Sequence, residues 1–171
     1  MKKGRSLVTI LLGSQSDLAV MEETLATLEK FGVGHELVIA SAHRSPERTR
    51  RIIRSAEAAG AKLFIAAAGG AAHLPGVVAA ETALPVIGVP IDSSALKGMD
   101  ALLSIVQMPG GVPVATMAIG KAGARNAAVF AAQCLALQDA ALARRLRQYK
   151  QSLAEQVEQQ DQAVRGRASA R

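Results

Sequence analysis

Tryptophan is absent from this 171-residue chain, tyrosine occurs once, phenylalanine three times and cysteine once. So few aromatic rings leave no platform for stacking bases, which argues against a single-strand nucleic-acid binder. One cysteine builds neither an internal disulfide framework nor a thiolate metal site. In its Ala-rich surroundings Cys134 reads as a small buried hydrophobe of a reduced, cytoplasmic interior. The three histidines, His35, His43 and His73, are not spaced as ligands, so no metal is expected. The chain has no G-x-S-x-G elbow, no glycine loop ending in Gly-Lys-Ser/Thr and no G-x-G-x-x-G, so neither a serine hydrolase nor a dinucleotide cofactor is expected. No apolar run approaches the ~20 residues that cross a bilayer. Leu7–Leu12 reads as a strand rather than the core of a secretory signal.

The formal charge of +6 is unevenly distributed. Residues 1–5 carry three cations and residues 139–171 carry seven cations against four anions, which leaves residues 6–138 neutral. A basic tail on a neutral core reads as a solvated, solubilising segment rather than a nucleic-acid interface.

What the chain has is alternation. Leu7–Leu12, Glu36–Ala40, Leu63–Ala67, Val86–Val89 and Val112–Thr116 read as strands. Between and after them the apolar spacing predicts helices over Asp17–Phe31, Pro46–Ala59, Pro75–Thr82, Asp100–Val106, Ala122–Leu137 and Asp139–Gln160. The first helix has Leu18, Met21, Leu25 and Leu28 on one face; the second turns Ile52, Ile53 and Ala56 inward. Residues 161–171 read as a disordered tail, and residues 1–160 as one domain. Repeated strand–helix units imply a parallel sheet with helices on both faces, a three-layer α/β/α fold whose five strands suit the flavodoxin-like order, plus a C-terminal helical extension. In such sheets ligands bind beyond the carboxyl ends of the strands, at the point where the order reverses.

Three of those ends carry chemistry. After the first strand comes Gly13-Ser14-Gln15-Ser16-Asp17, where Ser14 and Ser16 either cap the helix or offer hydroxyls to a ligand. The free N–H groups of the turn suit an anion. Asp17 would repel a phosphate, so it must point elsewhere; a ribose diol is its natural partner. After the second strand comes Ser41-Ala42-His43-Arg44-Ser45-Pro46, which joins a proton-transfer group to a fixed cation. Ser45 and Pro46 then mark a helix start. After the third comes the small, open run Ala66–Gly76, including Gly69 and His73, where a ligand can approach closely. His73 reads as a supporting group. Pro90–Gly98 and Gln107–Pro113 read as cover or interface loops without a signature of their own.

Five segments in register, GSQSD, SAHRSP, AAGGAAHLPG, SIVQMPGGVPV and AIGKAGARNAA, resemble the N5-carboxyaminoimidazole ribonucleotide mutase family of purine biosynthesis over roughly residues 7–150. Arg44 after His43 is similar to the bacterial mutase branch; the branch that carboxylates with CO2 directly has lysine there. The resemblance implies a flavodoxin-like subunit in a homo-octamer, with sites at subunit contacts and the last helix packing on a neighbour. It implies a nucleotide substrate, no cofactor, and transfer of a carboxylate from the exocyclic nitrogen to ring carbon C4. By position, Ser14, Asp17 and Arg44 match substrate contacts and His43 matches the acid–base, while Ser41, Ala42, Gly69 and His73 match positions near the imidazole. Departures include Ser45 where threonine is common and Ala115 where glycine is common. A direct carboxylase is the alternative enzyme. A non-catalytic nucleotide-binding regulator would need the same phosphate and ribose contacts but not His43.

Overall fold

The structure, a computed structural model, describes residues 6–169. Five parallel strands form one sheet in the order β2-β1-β3-β4-β5: β1 Val8–Leu12, β2 His35–Ile39, β3 Leu63–Gly69, β4 Val86–Ile91 and β5 Ala115–Thr116. The helices are α1 Leu18–Lys30, α2 Pro46–Ala59, α3 His73–Glu81, α4 Met99–Val106, α5 Gly120–Ala136 and α6 Ala140–Ser169. A 3-10 turn over Gln15–Asp17 leads into α1. This is the flavodoxin-like order expected from the sequence.

The central strands are apolar because both of their faces are covered, except for buried Thr9 in β1, whose hydroxyl donates to Glu36 at 2.9 Å. Successive side chains alternate between the faces. Leu11, Phe64, Ala66, Ala68 and Val86 share a core with Ile53 and Ala56 of α2, Leu74 and Val78 of α3, and Ala101 and Ile105 of α4. On α1 and α5 the join is partly polar: the Thr24 hydroxyl donates to the Ala124 carbonyl at 2.7 Å, and Arg125 pairs with Glu23 at 2.7 Å. The expected apolar stripe of α1 is therefore half right. Met21 and Leu28 are buried, but Thr24 and Thr27 take the inner positions while Leu18 and Leu25 are half-buried. A threonine is tolerated inside here because its hydroxyl finds a carbonyl.

Helix α2 matches its sequence bounds, with Pro46 at the first helical position and Gly60 ending it at φ 95°. Ser45 does not cap it through its side chain; its hydroxyl donates back to the Ser41 carbonyl at 3.3 Å. The fifth strand is shorter than the expected Val112–Thr116. Only Ala115 and Thr116 pair, with Ile87 and Gly88. The preceding Pro109-Gly110-Gly111 turn and Pro113, which lacks an N–H, keep the segment off the ladder.

By its contacts the chain divides into two compact units, Met1–Ala132 and Gln133–Arg171, with the boundary inside α5. In the second, Asp139 caps α6: its Oδ1 accepts from the N–H groups of Ala141 and Leu142, both at 2.9 Å. Those bonds, with Arg145 and Arg144 nearby, hold its carboxyl below the ordinary aspartate value. The helix continues to Ser169, where the sequence reading begins a disordered tail at Asp161. Residues 161–169 include no proline, and Arg165 pairs back to Asp161 at 2.9 Å one turn earlier. The rest of that tail and the three cations of residues 1–5 lie outside the described residues.

Candidate active site

Loops at the carboxyl ends of β1, β2, β3 and β4 converge on a cavity of about 300 Å³. Its lining includes every residue selected from sequence: Ser14, Ser16, Asp17, Ser41, Ala42, His43, Arg44, Gly69 and His73. The reason is topological. The chain goes from β1 outward to β2 and returns to β3 on the other side of β1, so the loops after β1, β2 and β3 splay apart over one crevice.

The loop after β1 folds on itself as a reciprocal cap. Ser14 Oγ accepts from the Ser16 N–H at 3.4 Å, and Asp17 Oδ2 accepts from the Ser14 N–H at 3.0 Å. The Ser16 hydroxyl donates to Ser14 Oγ at 3.0 Å and lies 3.3 Å from Asp17 Oδ1. Capping and site lining are thus done by the same side chains. Asp17 is turned inward and only 4% exposed. Burial pushes its carboxyl above the ordinary aspartate value, against the opposing effect of the Ser14 N–H and the Ser16 hydroxyl.

The turn after β2 aims Arg44 across the crevice. Ser41 Oγ accepts from the Arg44 N–H at 3.1 Å and from its Nε at 3.4 Å, and Arg44 Nη2 reaches the Gly13 carbonyl at 3.3 Å. The guanidinium is tethered at its stem while its fork stays exposed beside the β1 loop. The Ser41 carbonyl accepts from the Ser45 N–H at 3.0 Å, which pins the turn to the start of α2.

The loop after β3 delivers His73 as the first residue of α3, behind Ala72 at φ 46°. A left-handed alanine costs about 1–2 kcal/mol, a strain of the kind found where a neighbouring side chain must be aimed. Here it brings His73 Nδ1 to 2.6 Å from His43 Nε2, with the rings perpendicular at 84° and their centroids 4.7 Å apart. One of these nitrogens donates and the other accepts, so the tautomer and orientation of one ring constrain those of the other. Gly69 sits under Ser93: a Cβ there would lie 1.9 Å from Ser93 Oγ and 3.2 Å from the Ile91 carbonyl.

Ser93 is the lining residue that lies outside the segments to which the sequence assigns chemistry. Its loop, Pro90–Gly98, reads from sequence as a cover without chemistry. The available signal was position: it lies two residues past the carboxyl end of β4, beside β3 in the sheet. Among the described residues no group of three or more His, Cys, Asp or Glu is placed to hold a metal ion, and no helix is long and apolar enough to cross a membrane.

Fold and site together define a doubly wound α/β protein with a polar crevice at its switch point, lined by two histidines, an arginine and a buried aspartate. Comparison with known proteins narrows this. The AIR carboxylase family profile matches residues 7–156. The N5-carboxyaminoimidazole ribonucleotide mutase of Brucella melitensis is 55% identical over 150 residues, covering 88% of this chain and 93% of that one. Its counterpart in Bacillus subtilis is 52% identical over 159 residues, covering 92% and 98%. The crystal structure of Treponema denticola PurE superposes with a TM-score of 0.83 at 31% identity, covering 91% of this chain and 96% of that one. The chain belongs to the AIR carboxylase family.

Proposed function

We propose that the chain is an isomerase of purine biosynthesis that converts N5-carboxyaminoimidazole ribonucleotide into the C4-carboxylated nucleotide. The relatives' names support this reaction. The observation that carries it for this chain is one cavity lined by Arg44, Ser14 and Asp17 together with the His43–His73 pair.

The chemistry needs little beyond those groups. The N–CO2 bond breaks and its electron pair returns to the exocyclic nitrogen, which takes a proton from His43. The resulting enamine carbon C4 attacks the CO2 held beside it, forming the C–C bond. His43 then removes the C4 proton, which restores both the aromatic ring and its own starting form. An imidazole suits both transfers because it gives and takes protons near neutrality. Carbon dioxide offers no charge to grip, so the small walls of Ala68, Gly69 and Ala72 retain it by shape. Binding energy comes from the distant phosphate, on the fork of Arg44 and the amides and hydroxyls of residues 14–16, and from the ribose diol on Asp17. That energy holds the ring against His43.

In this reading the protein works in the cytoplasm as a homo-octamer. Residues 1–160 act as one mutase domain, and the helix over 139–160 packs on a neighbouring subunit. Exposed Leu96, Met99, Leu103 and Val106 around α4, and Leu153 and Val157 on α6, supply apolar surface for such contacts. The test of function is a spectroscopic assay of the N-carboxylated nucleotide going to the C-carboxylated one without ATP. Isotopically labelled bicarbonate in the buffer should stay out of the product; free mixing at each turnover would sink the closed-cavity mechanism. Light scattering on the eluted protein decides the octamer.

A further inference from the structure

We propose that Ser93 holds the migrating carboxylate by donating its hydroxyl to a carboxylate oxygen; this rests on the isomerase reading above. The cavity is lined by four serines. Ser14 and Ser16 are bonded to each other and to Asp17, and Ser41 Oγ accepts twice from Arg44. Ser93 alone of the four has no hydrogen-bond partner among the described residues. Ser41 and the β1 loop are tied to Arg44, whereas Ser93 enters the cavity from β4. β3 and β4 pair Gly69 with Ile91, so the chain leaving β4 carries Ser93 over Gly69. Its Oγ occupies the space a side chain at position 69 would need. Gly69 and the neighbouring Ala68 and Ala72 offer no side-chain donor, so the Ser93 hydroxyl is the polar group at this wall of the cavity.

A group transferred between two atoms of one ring needs a fixed point while both of its bonds are in play. A neutral hydroxyl suits that task. It hydrogen-bonds a carboxylate strongly, as bonds to charged groups do, and binds CO2 too weakly to trap it. His43 moves the proton; Ser93 sets where the carbon lies.

The test is calorimetric titration of wild type and Ser93→Ala with two ligands, the C4-carboxylated nucleotide and the aminoimidazole ribonucleotide that lacks the carboxylate. The expected result is a loss of about tenfold or more in affinity for the carboxylated ligand, with affinity for the other within twofold. In turnover, the variant should release more aminoimidazole ribonucleotide and CO2 per product formed. Equal losses for both ligands, or none for the carboxylated one, would overturn the assignment. Wild-type protein that binds both ligands yet fails to interconvert the carboxylated isomers would overturn the isomerase reading, while the affinity split would still decide Ser93. Wild-type protein that binds neither ligand defeats both.

Discussion

His43 Nε2 and His73 Nδ1 face each other at 2.6 Å across two different loops, one after β2 and one opening α3. An N–H on one nitrogen is accepted by the other, so the tautomer and orientation of His43 are tied to those of His73. His43→Asn should still bind nucleotide while its turnover falls by about 10²–10⁴, the usual worth of a general acid–base. Near-normal turnover in that variant would refute the role. His73→Leu removes only the partner. It should leave the KM for nucleotide within twofold, lower kcat and displace the pH profile of kcat. A profile that keeps its position and merely loses height would make His73 a packing residue.

Arg44 tests the other end of the cavity. Its stem is held by Ser41 and its Nη2 lies against the Gly13 carbonyl, so the fork is in place before a ligand arrives. A charge-assisted bond to phosphate is worth about 1.5–3 kcal/mol. Arg44→Ala should therefore lower kcat/KM by about 10- to 150-fold. The dephosphorylated nucleoside should bind wild type and variant alike. An equal loss for both ligands in a binding titration would show that Arg44 does not hold the phosphate.

Much of this site was legible in the sequence, and the reason is chemical. Gly13, Ser14, Asp17, His43, Arg44 and Gly69 are residue types with strong local meaning, and they fall directly after apolar runs. Alternation of runs and helices then fixes which ends they share. Ser93 was not legible because a serine in a loop has no signature, and its place depends on the β3–β4 pairing. The close approach of His43 and His73 was likewise hidden. It depends on the left-handed turn at Ala72, a conformation alanine does not advertise. The fifth strand was overestimated because Val112 and Val114 favour a strand locally, while Pro113 between them denies a donor. Helix α6 runs on past Asp161, where the polar composition alone reads as a tail, because no proline interrupts it and Arg165 pairs with Asp161 one turn earlier.

Asp17 links stability to function with a definite sign. Its folded-state carboxyl titrates above its ordinary value because of burial. The folded state therefore holds a proton more tightly than the unfolded chain. The associated stability is present below the unfolded aspartate value, about 3.9, and is lost as pH rises through the higher folded value. Above that range the buried carboxylate is a cost to the folded state. Asp17→Asn should thus be no less stable than wild type at pH 7 in urea unfolding, and should lose its relative standing as the pH is lowered toward 4. Nucleotide affinity should fall at every pH. A variant that is clearly less stable at pH 7 and gains on wild type in acid would reverse the sign and remove burial as the dominant influence on this carboxyl.

Gly69 and Ser93 are coupled by space, and a double-mutant cycle measures that coupling. A Cβ at position 69 would lie 1.9 Å from Ser93 Oγ, 3.1 Å from Ser93 Cβ and 3.2 Å from the Ile91 carbonyl. The carbonyl is backbone of β4 and cannot yield, whereas the serine can rotate. Gly69→Ala should therefore destabilise by about 1–3 kcal/mol, the usual cost of overpacking a tight site, and should displace Ser93 from the cavity wall. Gly69→Ala combined with Ser93→Ala removes the nearest obstacle but leaves the Cβ and carbonyl contacts. Its destabilisation should be smaller than the sum of the two single changes by about 0.5 kcal/mol or more, in the range expected for residues in direct contact. Strict additivity in thermal or urea unfolding would mean that the chain relieves the clash by moving the β3 loop instead. In that case His73, four residues further on, should shift as well, and the pH profile of the single variant would resemble that of His73→Leu.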